Sequence, residues 1–158
     1  MNKIKTISIA LVCLTVMAGA FIANASLFGV ERQRSHIILM QTANIINVAH
    51  KCVKEHKVFT GNLAKAIGHQ HVALEYYGHE KYFEAMWFSR RARALAIKAI
   101  EANGCIVPGD DKFLDSDAEF FKNCPSDEEL DNRLTVGHPK EKMKDEEVIK
   151  SKPDVEVK

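Results

Sequence analysis

The feature that most constrains this chain is a stripe of small residues. Ala85, Ser89, Ala92, Ala96 and Ala99 recur at alternating steps of four and three, the spacing that gathers side chains on one helical face. Phe88 and Leu95 flank the stripe on one side, and Met86, Ile97 and Ile100 flank it on the other. Small residues at the centre let a neighbouring backbone come close while the large flanks close over it. Asn103-Gly104 then supplies a left-handed C-terminal stop. A helix over about 81–103, packed tightly against a neighbour, is the starting point for everything else.

Two further helices precede it. Ser35 is a good N-cap, and Ile38, Thr42, Ile45, Ala49, Cys52 and His56 repeat the four-three spacing to about Val58. Thr60-Gly61-Asn62 breaks that pattern and can cap a second helix. There Leu63, Ile67, Leu74 and Tyr77 share a face, with Ala66 and Ala73 beside them, and Gly78 ends the run. Connections of two to four residues force antiparallel neighbours. The fold class expected is all-α: a three-helix up-down-up body over 35–104 whose second and third helices form a tight hairpin.

The hairpin resembles a tetratricopeptide repeat. His69, Val72-Ala73 and Tyr76 stand at the spacing of that family's W-x2-L-G-x2-Y, and Tyr82, Ala85 and Ala92 continue its second helix. His69 stands where the family has Trp, Ser89 where it has an aromatic, and no proline closes the unit. The resemblance covers about 35 residues (69–103), does not recur, and implies a protein-binding scaffold.

The amino terminus carries a targeting pattern. Lys3 and Lys5 precede an apolar run from Ile7 to Ile22, which closes on Ala23-Asn24-Ala25. That is the form of a secretory signal, with cleavage expected after Ala25 and a linker over 26–34. The apolar run is slightly short of the ~20 residues that span a bilayer, so membrane contact is expected only if the segment stays uncleaved. The mature chain is expected in the periplasm or outside the cell. It keeps Cys52, Cys105 and Cys124, an odd number that leaves one thiol over. Cys105 with Cys124 is the candidate disulfide and Cys52 the candidate buried thiol, although spacing alone does not settle the pairing.

Charge divides what remains. Residues 35–103 hold nine Lys and Arg against five Glu, and residues 104–158 hold nine against fifteen Asp and Glu. A basic body with an acidic tail suggests self-shielding or a tail for partner contact. Neither half has the dense like-charge block of a nucleic-acid binder. Ser116 with Glu119, and Ser126 with Glu129, have capping-box spacing, and Phe113, Phe120 and Phe121 are positioned to dock 105–134 on the body. Residues 135–158 are Lys- and Glu-rich with scattered prolines, and are expected to be disordered and dispensable for folding.

Candidate sites follow from side-chain chemistry. Trp87 with Arg90 and Arg91, away from the alanine stripe, has the composition of a partner-binding hot spot. His71, Glu75 and His79 at i, i+4, i+8 offer an alternative reading, a periplasmic protein binding Cu or Zn through histidines, though Gly78 breaks the helix before His79. Cys52 and His56 are also i, i+4 with soft-metal chemistry. Asp115-x-Asp117-x-Glu119 has the opening of a calcium loop but Phe120 where its glycine belongs. No nucleophile, base and oxyanion hole converge. The expectation is a non-enzymatic interaction module, without cofactor, whose partner is another envelope or secreted protein.

Overall fold

The computed structural model describes the backbone of residues 2–109, 113, 117–137 and 143–157, and side chains from Gly29 onward outside the same gaps. The fold is all-α. Five helices are described: α1 (Asn2–His56), α2 (Asn62–Gly78), α3 (Tyr82–Ala102), α4 (Asp127–Gly137) and α5 (Asp145–Val148). The first three pack together as the expected antiparallel body, α3 lying against both α1 and α2. Among the described residues no helix is long and apolar enough to cross a membrane. The signal-peptide reading of 1–25 rests on side chains outside the described residues.

The small-residue stripe is the centre of the packing. Ala85, Ser89, Ala92, Ala96 and Ala99 are all fully buried, and Ala92, Ala96 and Ala99 share one core cluster with Ile45, Ala49, Leu63 and Ile67. The α1 seam is buried from Ile38 to Cys52, but His56 at its end is exposed. In α2, Leu63 and Ile67 are buried and Leu74 and Tyr77 only half-buried, because α2 extends toward solvent near its carboxyl end.

The stop after α3 is a Schellman turn. Gly104 takes φ +71°, its N–H reaches the Glu101 carbonyl at 2.9 Å, and the Cys105 N–H reaches Ile100 at 3.1 Å. Glycine holds that left-handed conformation without a Cβ penalty. The turn sends the chain back over the last turn of α1.

Four expectations are corrected. Ser35 is no N-cap and 26–34 is no linker: α1 runs helical through both, and Ser35 is buried within it. Ile38 and Leu39, one turn on, are fully buried with it. The disulfide joins Cys52 to Cys105, with Cα atoms 6.4 Å apart, because the Schellman turn lays Cys105 across α1. Cys124 is therefore the free thiol. It is half-buried among Val72, Phe88 and Leu130, and burial pushes its thiol pKa up.

The fourth correction concerns the tail. Residues 143–157 are docked, with Val148 and Val155 buried in the main core and Asp145 only 1% exposed. The Asp145 carboxylate accepts from the N–H groups of Gly61 at 2.7 Å and Ala64 at 2.8 Å. It therefore caps α2, whose own N-cap, Gly61, offers no side chain. A composition too polar for a core of its own is ordered by two valines entering another one and a carboxylate satisfying buried donors.

Candidate functional site: the outer face of the hairpin

The site begins with α3. One face of that helix carries the alanine stripe inward, which leaves Trp87, Arg90 and Arg91 turned toward the carboxyl-terminal third of the chain. Ser126 caps α4 through its Oγ, which accepts the Glu129 N–H at 3.2 Å; the predicted helix start is where spacing placed it. Within α4, Asp127, Leu130, Asp131 and Leu134 stand at i, i+3, i+4 and i+7 and so share one face. Leu130 and Leu134 enter a cluster with Val72, Ala73 and Phe88, closed by Tyr76 and Trp87.

The carboxylates of that face meet the arginines. Arg91 is 7% exposed and donates through Nε and a terminal nitrogen to both Asp131 oxygens, at 2.8 and 2.7 Å. Its remaining nitrogen reaches Asp127 at 2.8 Å. Arg90 reaches the other Asp127 oxygen at 2.8 Å. Hydrogen bonding to Asp131 holds the Arg91 pKa above its ordinary value, against the pull of burial. Burial works to raise the Asp131 pKa, but the hydrogen bond and charge of Arg91 outweigh it and hold the group below the usual carboxylate range. The Trp87 indole N–H donates to the Phe120 carbonyl at 3.0 Å. All three predicted partner-binding residues thus share one surface, and the group lying on that surface is the chain's own acidic segment.

His69 completes the arrangement from α2. It is fully buried and stands 5.7 Å from the Phe88 ring, centroid to centroid. Its Nε2 lies 2.9 Å from Asp131; since a carboxylate only accepts, Nε2 carries the proton and donates. Nδ1 is then a buried lone pair, with no hydrogen-bond partner among the described residues. Burial drives the His69 pKa down to about 4, and the Asp131 hydrogen bond offsets only part of that. His69 and Asp131 also help wall a cavity of about 430 Å³, lined further by Phe59, Lys65, Leu134 and Met143.

The aromatic docking segment lands where expected. Phe113 stacks on the guanidinium of Arg93, 3.9 Å from ring centroid to Cζ, and packs edge-on against Phe121. Phe120 meets Phe83. Arg93 itself is buried between the helices, donating to Thr42 Oγ1 and the Ile38 carbonyl, each at 3.1 Å. Arg34 pairs with both oxygens of buried Asp117, so the calcium-loop pattern supplies an ion pair instead; Asp115 and Ser116 lie outside the described residues.

The histidine ridge does not assemble. His71 Nε2 is 3.0 Å from the Asp154 carbonyl and so donates to the docked tail. Glu75 is exposed, and His79 sits beyond the end of α2. Among the described residues, the ligand atoms that do converge are those of Cys52, His56 and Cys105.

Asp127, Asp131, Arg93 and Asp145 escaped the sequence reading. The one signal pointing to the first two was the charge contrast between body and tail, combined with a capped helix bearing carboxylates at i and i+4. No protein-family model matches the chain, and no curated protein or solved structure matches it either.

Proposed function

We propose that the chain is an exported, non-catalytic helical interaction module, with a tetratricopeptide-like hairpin as its scaffold and the Trp87–Arg90–Arg91 face as its recognition surface. The observation that carries this reading is how the face is filled. An acidic amphipathic helix lies on it, two leucines in the apolar strip and two aspartates on the arginines. A groove that holds one such helix accepts another of the same pattern. The chain's α4 then serves as a placeholder for a partner helix carrying carboxylates at i and i+4 and apolar residues at i+3 and i+7.

Two further observations support parts of the reading. A general base works best with a pKa near the operating pH, and His69 at about 4 is a fixed hydrogen-bonding group rather than a base. Export is favoured by the Lys3, Lys5, apolar-run and Ala-x-Ala pattern and fits a chain holding a Cys52–Cys105 disulfide. Mass analysis of the exported chain should find it beginning at Ser26.

Trp87 is the chain's single tryptophan, so its emission reports on this face. An Asp127→Asn, Asp131→Asn variant loosens α4 from the arginines. A synthetic peptide of residues 117–137 should then bind the variant saturably and shift Trp87 emission, and adding Arg91→Ala should abolish the shift. If the variant keeps its helical circular dichroism yet the peptide leaves the emission unchanged, the surface does not take helices in trans and the reading fails.

A further inference from the structure

A second cluster lies at the end of the bundle, formed by different residues from the interaction face. Cys52 and His56 are one turn apart in the last turns of α1, and Cys105 follows the Schellman turn that closes α3. The two sulfurs and a nitrogen of the His56 ring all lie within 4.8 Å of one another. Cys52 is buried at 4% exposure, Cys105 is half-buried and His56 is exposed. The sulfurs therefore face inward and the imidazole stands at the rim, open to an arriving ion.

We propose that, once the Cys52–Cys105 bond is reduced, Cys52, Cys105 and His56 form a three-ligand site for a thiophilic d10 cation, Zn(II) or Cu(I). The end of the bundle would then alternate between a disulfide and a metal thiolate.

Three physical arguments support it. The first is size. Ligands at Zn–S and Zn–N bond lengths in tetrahedral array stand roughly 3.5–3.8 Å apart, so the sulfurs need only part once their bond is broken, and the imidazole is already in range. The second is chemistry. Two thiolates with one imidazole suit Zn and Cu and disfavour the hard cations Ca and Mg, and three protein ligands leave a position for water on the exposed side. The third is the field. The carboxyl ends of α1 and α3 both point at the cluster, and helix carboxyl termini favour cations. Lys54 and Lys57 flank His56 in sequence and oppose this, but salt screens exposed charges.

The chemistry balances in two steps. A dithiol reductant passes two electrons and two protons to the Cys52–Cys105 disulfide and leaves as its own disulfide, by thiolate attack on one sulfur through a mixed disulfide. The freed thiols then release two protons as the cation binds, so uptake weakens as pH falls.

The test uses the full mature chain carrying Cys124→Ser, which removes the unrelated thiol, in oxidised and reduced forms. Zn(II) or Cu(I) is offered from a coloured chelator, and circular dichroism records the fold. The reduced, folded protein should withdraw one equivalent of at least one of these cations, and the oxidised protein none. His56 is exposed, so His56→Ala should leave the fold intact. It should weaken uptake at least ~10-fold, the least that even outer-sphere partners of a metal contribute. Each of four results would overturn the proposal: no uptake of either cation, uptake by the oxidised form, uptake indifferent to His56→Ala, or unfolding on reduction.

Discussion

The α2–α3 seam and the carboxyl-terminal third are held by different physics. The seam is continuous: five small residues in helical register, every one buried. The carboxyl-terminal third is held at separate points. Leu130 and Leu134 occupy the outer cluster, Val148 and Val155 the main core, and Asp117, Asp127, Asp131 and Asp145 each meet a donor from the body. A seam built from area is insensitive to salt and pH. A segment pinned by carboxylates depends on both, which is the property the proposed placeholder role needs.

The sharpest way to break the comparison is to remove the tail. A chain ending at Leu134 loses Val148 and Val155, each worth roughly 1.5–3 kcal/mol when fully buried, together with the α2 cap, worth about 0.5–2 kcal/mol. Denaturant unfolding should show a loss of at least about 3.5 kcal/mol, the sum of the lower bounds. An unchanged midpoint would return the tail to the disordered state that its composition suggests.

Next in size is pH. His69 is held neutral in the folded chain, at about 4 against 6.5 when free, so between those values the unfolded chain binds more protons and stability falls as pH falls. The full loss, reached below pH 4, is about 3 kcal/mol. Asp131, held low by Arg91, loses its own contribution only as pH drops through the carboxylate range. Thermal midpoints between pH 7 and 4 should therefore decline, and His69→Gln should flatten the decline. If the slope is unaffected by that substitution, His69 is not the group responsible.

On the seam itself, Ala96→Leu should overpack the interface and cost roughly 1–3 kcal/mol, equally at low and high salt. An unchanged midpoint would place the stripe against solvent. The smallest effect separates the two arginines. Arg91→Ala removes both guanidinium bonds to half-buried Asp131 and one to exposed Asp127, and should cost about 2 kcal/mol. Arg90, paired on the exposed side of Asp127, should cost no more than about 0.5 kcal/mol. Equal losses would mean that the clamp does not centre on Arg91.

What could be read in advance follows the same division. Ala85 to Ala99, the seam from Ile38 to Cys52, Asn103-Gly104 and the Ser126 cap all declared themselves, because helical periodicity and capping are local and a few residues suffice to state them. Trp87, Arg90 and Arg91 were legible as one face of α3 turned away from the alanine stripe, but the segment of the chain that covers them was not. The Ser35 start failed because a buried polar residue and an N-cap look alike until the preceding turn is known to be helical.

The sequence by itself determined the helical class, the hairpin and its inward face, since burial of a periodic apolar stripe depends only on neighbours in the chain. Tertiary structure alone decided that Cys52 pairs with Cys105, that Asp145 caps a helix over eighty positions away, and that Asp127 and Asp131 close over Arg91. Each of these joins single residues across long stretches of chain. A lone cysteine or carboxylate has no period, and which of several chemically equal partners it meets is fixed by the path of the backbone between them.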